Sequence, residues 1–293
     1  MNENVVYDAI VVGTGITGGW AAKELCENGL KTIVLERGPM VKHIEDYKTM
    51  NWDAWDMPFK GELSAKDKEK YPKQLRVGWA PKDDVKHFFV NDLEHPYQET
   101  KRFDWIRGYH VGGRSITWGK QSYRWSDIDF EANKKDGHGV DWPLRYKDIS
   151  PWYDKVETYI GVSGQNLGLK QLPDGKFQPP MELNCVEKEL QNSISTGFDD
   201  GRLLTIGRAA HITDKTAQFE GRTVCQYRNR CWRGCPFGGY FSSNSSTLPA
   251  AERTGNMTLR PNSIVHEVIY DENKKRAFHG SCRFYFDSLQ PGS

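Results

Sequence analysis

Cys225, Cys231 and Cys235 fall within eleven residues, spaced C-x5-C-x3-C, and Pro236 follows the last of them directly. Thiolates are soft metal ligands. Three of them on a short loop closed by proline suit an iron–sulfur cluster better than tetrahedral zinc, which needs a fourth donor. The same spacing also fits three reduced thiols, one disulfide with a spare, or zinc completed by His211. Arg228, Arg230 and Arg233 alternate with the cysteines. They can compensate an anionic cluster, form a docking patch for an electron acceptor, or stand as solvated loop charges. Cys26 reads as core packing in the first helix, and Cys185 and Cys282 are isolated and take no role.

The second chemistry-bearing pattern lies at the other end of the chain. Gly13, Thr14, Gly15, Ile16, Thr17 and Gly18 form G-x-G-x-x-G. A lone glycine motif is weak, but this one sits between a predicted strand, Tyr7–Val12, and a helix from about Thr17 to Glu27. That helix stops at Asn28-Gly29, and a second strand, Lys31–Leu35, ends at Glu36-Arg37. Glu36 stands 18 residues after Gly18. In this βαβ context Gly13 allows the tight turn, Gly15 admits a pyrophosphate to the backbone, and Gly18 lets helix and strand pack closely. The helix N-terminus offers unpaired N–H groups to phosphate, and Glu36 a carboxylate to a ribose diol. The unit alone does not separate NAD from FAD. A second loop, Gly112-Gly113 followed by Ser115, can present further N–H donors to an anion or a flavin edge.

The remaining elements frame these motifs. Ser150-Pro151 predicts a helix start, with Ser as N-cap and Pro in the first turn, running to Gly161. Met257–Arg260 and Ile264–Tyr270 read as strands, the second followed by a turn at 271–274. Residues 41–100 are polar, rich in aromatic residues and without periodicity. Aromatic residues crowd 103–159, including Trp105, Trp118, Trp125, Trp142 and Trp152, and most are expected in the core. The chain of 293 residues carries 40 Lys+Arg against 39 Asp+Glu, so nothing marks it for nucleic acid. Its longest apolar runs are far too short for a transmembrane segment. Met1–Val6 leaves no room for a signal peptide, so the localisation is not legible; an exported protein would take its address from a partner.

With these residues set out, the sequence resembles the glucose–methanol–choline (GMC) oxidoreductases. The resemblance rests on the segment from Tyr7 through Gly18 to Glu36-Arg37, on Arg107-Gly108 and Gly112-Gly-Arg-Ser115, and on Trp142-Pro-Leu through Trp152-Tyr153 to Gly164. It spans residues from about 5 to 277 and implies FAD as cofactor. Gly13, Thr14, Gly15, Ile16, Thr17, Gly18, Glu36 and Arg37 would hold the ADP half. Gly112, Gly113, Ser115 and Thr117 would lie toward the flavin, with Val265 meeting adenine through its backbone. Some sugar-oxidising members bind flavin covalently through a histidine in the second loop; the matching position is Thr117, which implies a non-covalent flavin. His110 is out of register for that role and reads as an ordinary histidine. The cysteine segment resembles that of bacterial FAD-dependent sugar dehydrogenases, which implies a [3Fe–4S] cluster on Cys225, Cys231 and Cys235.

The implied fold is α/β: a Rossmann-like FAD-binding domain made of 1–40, 95–130 and 215–277. Residues 41–94 and 131–214 are insertions and segments of an incomplete substrate domain, and 278–293 an unplaced tail. The implied activity is oxidation of a CH–OH group of a sugar or glycoside, with electrons passed through the cluster to a cytochrome or quinone, beside a small subunit. In the family the catalytic base is a histidine near the end of a considerably longer chain. None of the eight histidines matches it, so no catalytic residue is assigned and a truncated form with exposed apolar surface is expected. An oxygen-using GMC oxidase and a non-catalytic FAD-binding remnant are the alternatives.

Overall fold

The computed structural model describes residues 5–273, 275–277 and 284–285. The expected tail at 278–293, with Cys282, lies outside the described residues apart from the backbone of 284–285. Two compact units divide the chain: 1–118, 228–236 and 242–293 form the first, and 119–227 with 237–241 the second.

In the first unit the expected βαβ motif is present. Strand β1 (Ala9–Val12) leads into helix α1 (Ile16–Glu27), and β2 (Thr32–Leu35) returns parallel to β1. Helix α1 ends at Asn28 and Gly29, the latter at φ +83°, as the Asn-Gly pair predicts. Strand β3 (Met257–Arg260) pairs parallel to β2, giving the order β1-β2-β3. One face of this sheet packs on α1 and on the helix preceding β3. Val11, Val34, Ala22, Cys26 and Ala251 are all buried there, which places Cys26 in the core as expected. Strict alternation sends Ile10 and Val12 to the opposite face, where they are 43% and 58% exposed. Among the described residues β1 pairs on one side only.

Residues 41–94 fold into short 3₁₀ turns rather than long elements, because their apolar residues lack a sustained period. They pack with the glycine loops in the first unit, whereas the sequence expectation set them among the insertions. The reason is a shared core: Tyr47, Leu63, Tyr71, Val85 and Phe88 surround Ile116, which follows the second glycine loop. A buried ion pair, Arg107 to Asp92 at 2.9 Å, fixes the chain entering that loop. Gln74 braces both partners, donating to Asp92 and accepting from the Arg107 N–H.

Beyond β3, the strand expected over Ile264–Tyr270 is present only at its ends. Strand β4 (Ile264–Val265) pairs antiparallel with β7 (Phe284–Tyr285), and β5 (Tyr270–Asp271) with β6 (Arg276–Ala277).

The second unit is built on α2 (Tyr146–Ile160) and α3 (Cys185–Gly197). Helix α2 starts ahead of the predicted Ser150-Pro151 signal. The Arg145 N–H donates to Asp148 and the Tyr146 N–H to Asp127, at 2.8 and 2.7 Å, so the first turn is already capped upstream. Pro151 then lies inside the helix, and the Ser150 hydroxyl donates to the Lys147 carbonyl that proline cannot serve. Arg124, buried, makes a two-pronged ion pair with buried Glu157. The tryptophans correct another expectation. Trp125, Trp142 and Trp152 are 48%, 42% and 61% exposed, and in the first unit Trp105 is 45% exposed. Trp125, Phe130 and Trp142 meet edge to face at the surface of this unit, and α2 buries Glu157 and Ile160 instead of Trp152. Among the described residues no helix is long and apolar enough to cross a membrane.

Candidate functional site

The first glycine loop turns sharply between β1 and α1. Gly13 lies at φ +89°, and a β-carbon on Gly18 would come within 2.1 Å of the Gly13 carbonyl oxygen, so only glycine fits there. At Gly15, the residue before α1, a side chain would meet nothing within 4 Å. Open space stands above the helix end, as a backbone that receives a ligand requires. Helix α1 has no side-chain cap and no acidic residue in its first turn. Its first N–H groups and the positive end of its dipole therefore face that space uncompensated.

A cleft of about 570 Å³ opens here, lined by Gly13, Thr14, Gly15, Ile16 and Thr17 together with Glu36 and Arg37. Gly113 enters it from the second glycine loop, and Val265 from β4. Nine of the sequence-derived residues thus line one cavity of the first unit, and Gly18, Gly112, Ser115 and Thr117 do not line it. Gly18 packs on Gly13, and any β-carbon on Gly112 would strike the Asn244 side chain at 1.5 Å. The Ser115 hydroxyl donates to the Gly112 carbonyl at 2.6 Å and accepts from the Ser243 N–H. Thr117 is buried and its N–H donates to the Arg114 carbonyl.

Glu36, 6% exposed, accepts hydrogen bonds from the Thr14 N–H and hydroxyl at one oxygen and from the Gly38 N–H at the other. Oε2 is filled by its two bonds from Thr14, and Oε1 keeps one further acceptor site for a ribose hydroxyl. Ser263 donates its N–H to the Glu36 carbonyl and so clips the β4 segment to the end of β2.

Among the lining residues that the sequence reading did not assign are Tyr109, Arg114 and Ser263. The Arg37 guanidinium lies 3.7 Å from the Tyr109 ring centroid, forming a flat cationic wall. Arg114 lines the cleft with a buried Nη1 that has no hydrogen-bond partner, and its burial lowers its pKa. Ser263 is the third. Only Arg114 carried a signal in the sequence, a cation set inside a Gly-Gly-Arg-Ser loop.

These features suit an anionic dinucleotide such as FAD. A helix N-terminus and the Arg114 guanidinium, whose Nη1 has no hydrogen-bond partner, would suit a diphosphate, and the buried Glu36 carboxylate a ribose. No histidine lines the cleft. His110 is buried beside it, its Nδ1 3.0 Å from the Val111 carbonyl, and burial pushes its pKa down, as befits a structural residue.

Over 94% of its length the chain is 25% identical to the fructose dehydrogenase large subunit of Gluconobacter japonicus, covering 48% of that protein. It is 24% identical to a gluconate 2-dehydrogenase flavoprotein of Pantoea cypripedii, covering 94% of this chain and 47% of the relative. A paromamine 6'-oxidase of Streptomyces fradiae is 23% identical over 88% of the chain and is covered to 40%. All three are oxidoreductases by name. The chain spans about half the length or less of these relatives. No protein-family model matches it.

The cysteine segment is divided between the units. Cys225 belongs to the second and Cys231 and Cys235 to the first. All three are partly buried thiols. Among the described residues no group of three His, Cys, Asp or Glu side chains is placed to hold a metal. The arginines between the cysteines take a role the sequence did not suggest. Arg230 pairs with Asp53 and donates to the Met50 carbonyl. Arg233 is buried, donates to the Trp52 carbonyl at 2.6 Å and faces Asp84 at 3.5 Å. They anchor the Cys231–Cys235 turn to the 50–53 stretch and to Asp84. Cys185 is exposed at the start of α3.

Proposed function

We propose that the first unit is the FAD-binding part of an oxidoreductase acting on a CH–OH group of a sugar or glycoside. The cleft carries this reading: the α1 N-terminus, Arg114, whose Nη1 has no hydrogen-bond partner, and the buried Glu36 carboxylate line a single cavity. The ADP half belongs over Gly13–Gly18 with Glu36 and the Val265 backbone, and the flavin end toward Gly112, Gly113 and Ser115. Bound FAD supplies the hydride acceptor. The residues of this chain supply the compensating charge, the ribose contact and the walls. The names of the relatives support a carbohydrate substrate.

The path by which electrons leave is a finer part of the proposal. The spacing of Cys225, Cys231 and Cys235 supports a [3Fe–4S] cluster, delivering to a cytochrome or quinone, with a small subunit alongside. The alternative of a GMC-type oxidase, using oxygen, draws on the name of the paromamine 6'-oxidase relative. The test is anaerobic purification of the full-length protein. A flavin spectrum from bound FAD is the expected result. A purified, folded protein that neither carries nor takes up FAD refutes the reading. Iron and acid-labile sulfide analysis then separates cluster-linked dehydrogenase from oxidase.

A further inference from the structure

Thr14 is the least exposed residue of the dinucleotide loop, at 0%. Its hydroxyl stands where three distant segments meet. It donates to the Glu36 Oε2 at 2.6 Å, 22 residues away, and accepts from the Gly112 N–H at 2.9 Å, 98 residues away. The Thr14 N–H donates to the same Glu36 oxygen at 3.0 Å. A hydroxyl has a single proton, and here the carboxylate takes it, so the Gly112 N–H has a lone pair to meet. The run Gly112 N–H to Thr14 hydroxyl to Glu36 carboxylate therefore points one way, and each bond polarises the next. Gly112 is at φ +86°, so its N–H is held by a turn that only glycine adopts readily. The two loops also touch: a methyl on Gly113 would sit 3.6 Å from the Gly15 Cα.

We propose that Thr14 is a positioning residue that latches the second glycine loop to the first and fixes the Glu36 carboxylate, so that one side chain sets the geometry of both halves of the FAD cleft. This deepens the FAD reading and rests on it. It assigns to Thr14 a task distinct from contact with the cofactor, because the hydroxyl is spent on the protein. The latch needs a side chain that donates and accepts at one atom. Serine keeps it; valine, of the same shape, loses it and leaves both a buried N–H and a carboxylate oxygen short of a partner.

The test compares Thr14→Val and Thr14→Ser in the full-length protein, using FAD titration of the apoprotein and amide hydrogen exchange over residues 105–118. The valine variant is expected to bind FAD about tenfold or more weakly, with faster exchange at Gly112 even before FAD is added. The serine variant is expected to restore both to within about threefold. Valine binding FAD as tightly as threonine, with unchanged exchange, overturns the proposal. If the valine variant does not fold, Thr14→Ala replaces it and is read in the same way. The unaltered apoprotein gives an independent check: its Gly112 amide must exchange slowly, and a fast amide sinks the latch without any variant. Failure of the unaltered protein to bind FAD would instead remove the cofactor reading, while the exchange measurement would still report on the latch.

Discussion

The glycine cleft and the cysteine segment were equally conspicuous in the sequence, yet they differ in how the fold builds them. The cleft is a backbone site. Two adjacent strands and one helix create its N–H donors, and hydrogen bonds from Thr14, Gly38 and Gly112 close it from behind. The cysteine segment is a side-chain site on an irregular loop. Tyr227 and Asn229 both take positive φ, at 54° and 51°, and arginines tie the Cys231–Cys235 turn to residues 50–53 and Asp84. A site made by local backbone geometry is complete wherever its motif folds. A site made by convergent side chains depends on the path of the irregular loop that carries them.

The sharpest way to break this contrast is Gly18→Val. Its β-carbon would collide with the Gly13 carbonyl, so flavin binding should be abolished and stability should fall by about 3 kcal/mol or more. Flavin content and denaturant melts measure it; a variant that keeps FAD would deny that the loop is built by close backbone approach. Next in size, Asp92→Ala leaves Arg107 buried without its partner and should cost about 3–5 kcal/mol, read from the shift of the urea midpoint. It should loosen the second loop more than the first, visible as faster exchange at Gly112 than at Gly15.

A smaller effect is expected for Arg114→Gln, which removes a cation from the cleft lining. FAD affinity should drop about 10- to 100-fold, with a shallower dependence on salt. An unchanged Kd would show that the diphosphate is held by N–H groups alone. Smallest for the flavin, Cys231→Ser should leave FAD affinity within about twofold, since a near-isosteric surface-loop change disturbs little. On the proposed cluster reading, the same variant should lose any iron and sulfide found in the parent. Coupled loss of flavin and iron would mean that the two sites are one structural unit, contrary to the contrast drawn here.

What the sequence disclosed follows the same division. The strand–glycine–helix–strand–Glu36 pattern was legible because period, turn chemistry and motif agreed over 30 consecutive residues. Pro151 misled because a proline near a helix start looks like the start itself, whereas Arg145, Asp148 and Asp127 cap the chain further upstream. Tyr109 and Ser263 could not be found, since stacking on Arg37 and clipping to Glu36 are tertiary events with no spacing of their own. The tryptophans were assigned inward from residue type alone, but α2 and the Trp125–Trp142 pair turn them to solvent.

Ile10 and Val12 carry a last consequence. Parallel strands are ordinarily sheltered above and below, and here one broad side of the sheet is dressed in helices while the other shows bare aliphatic groups beside a strand rim whose amides face outward. Such a rim invites a neighbouring backbone to zip onto it, so handling at high concentration should favour sticking between copies. A single lysine at Ile10, which does not line the cleft, would repel that approach and keep the protein in solution.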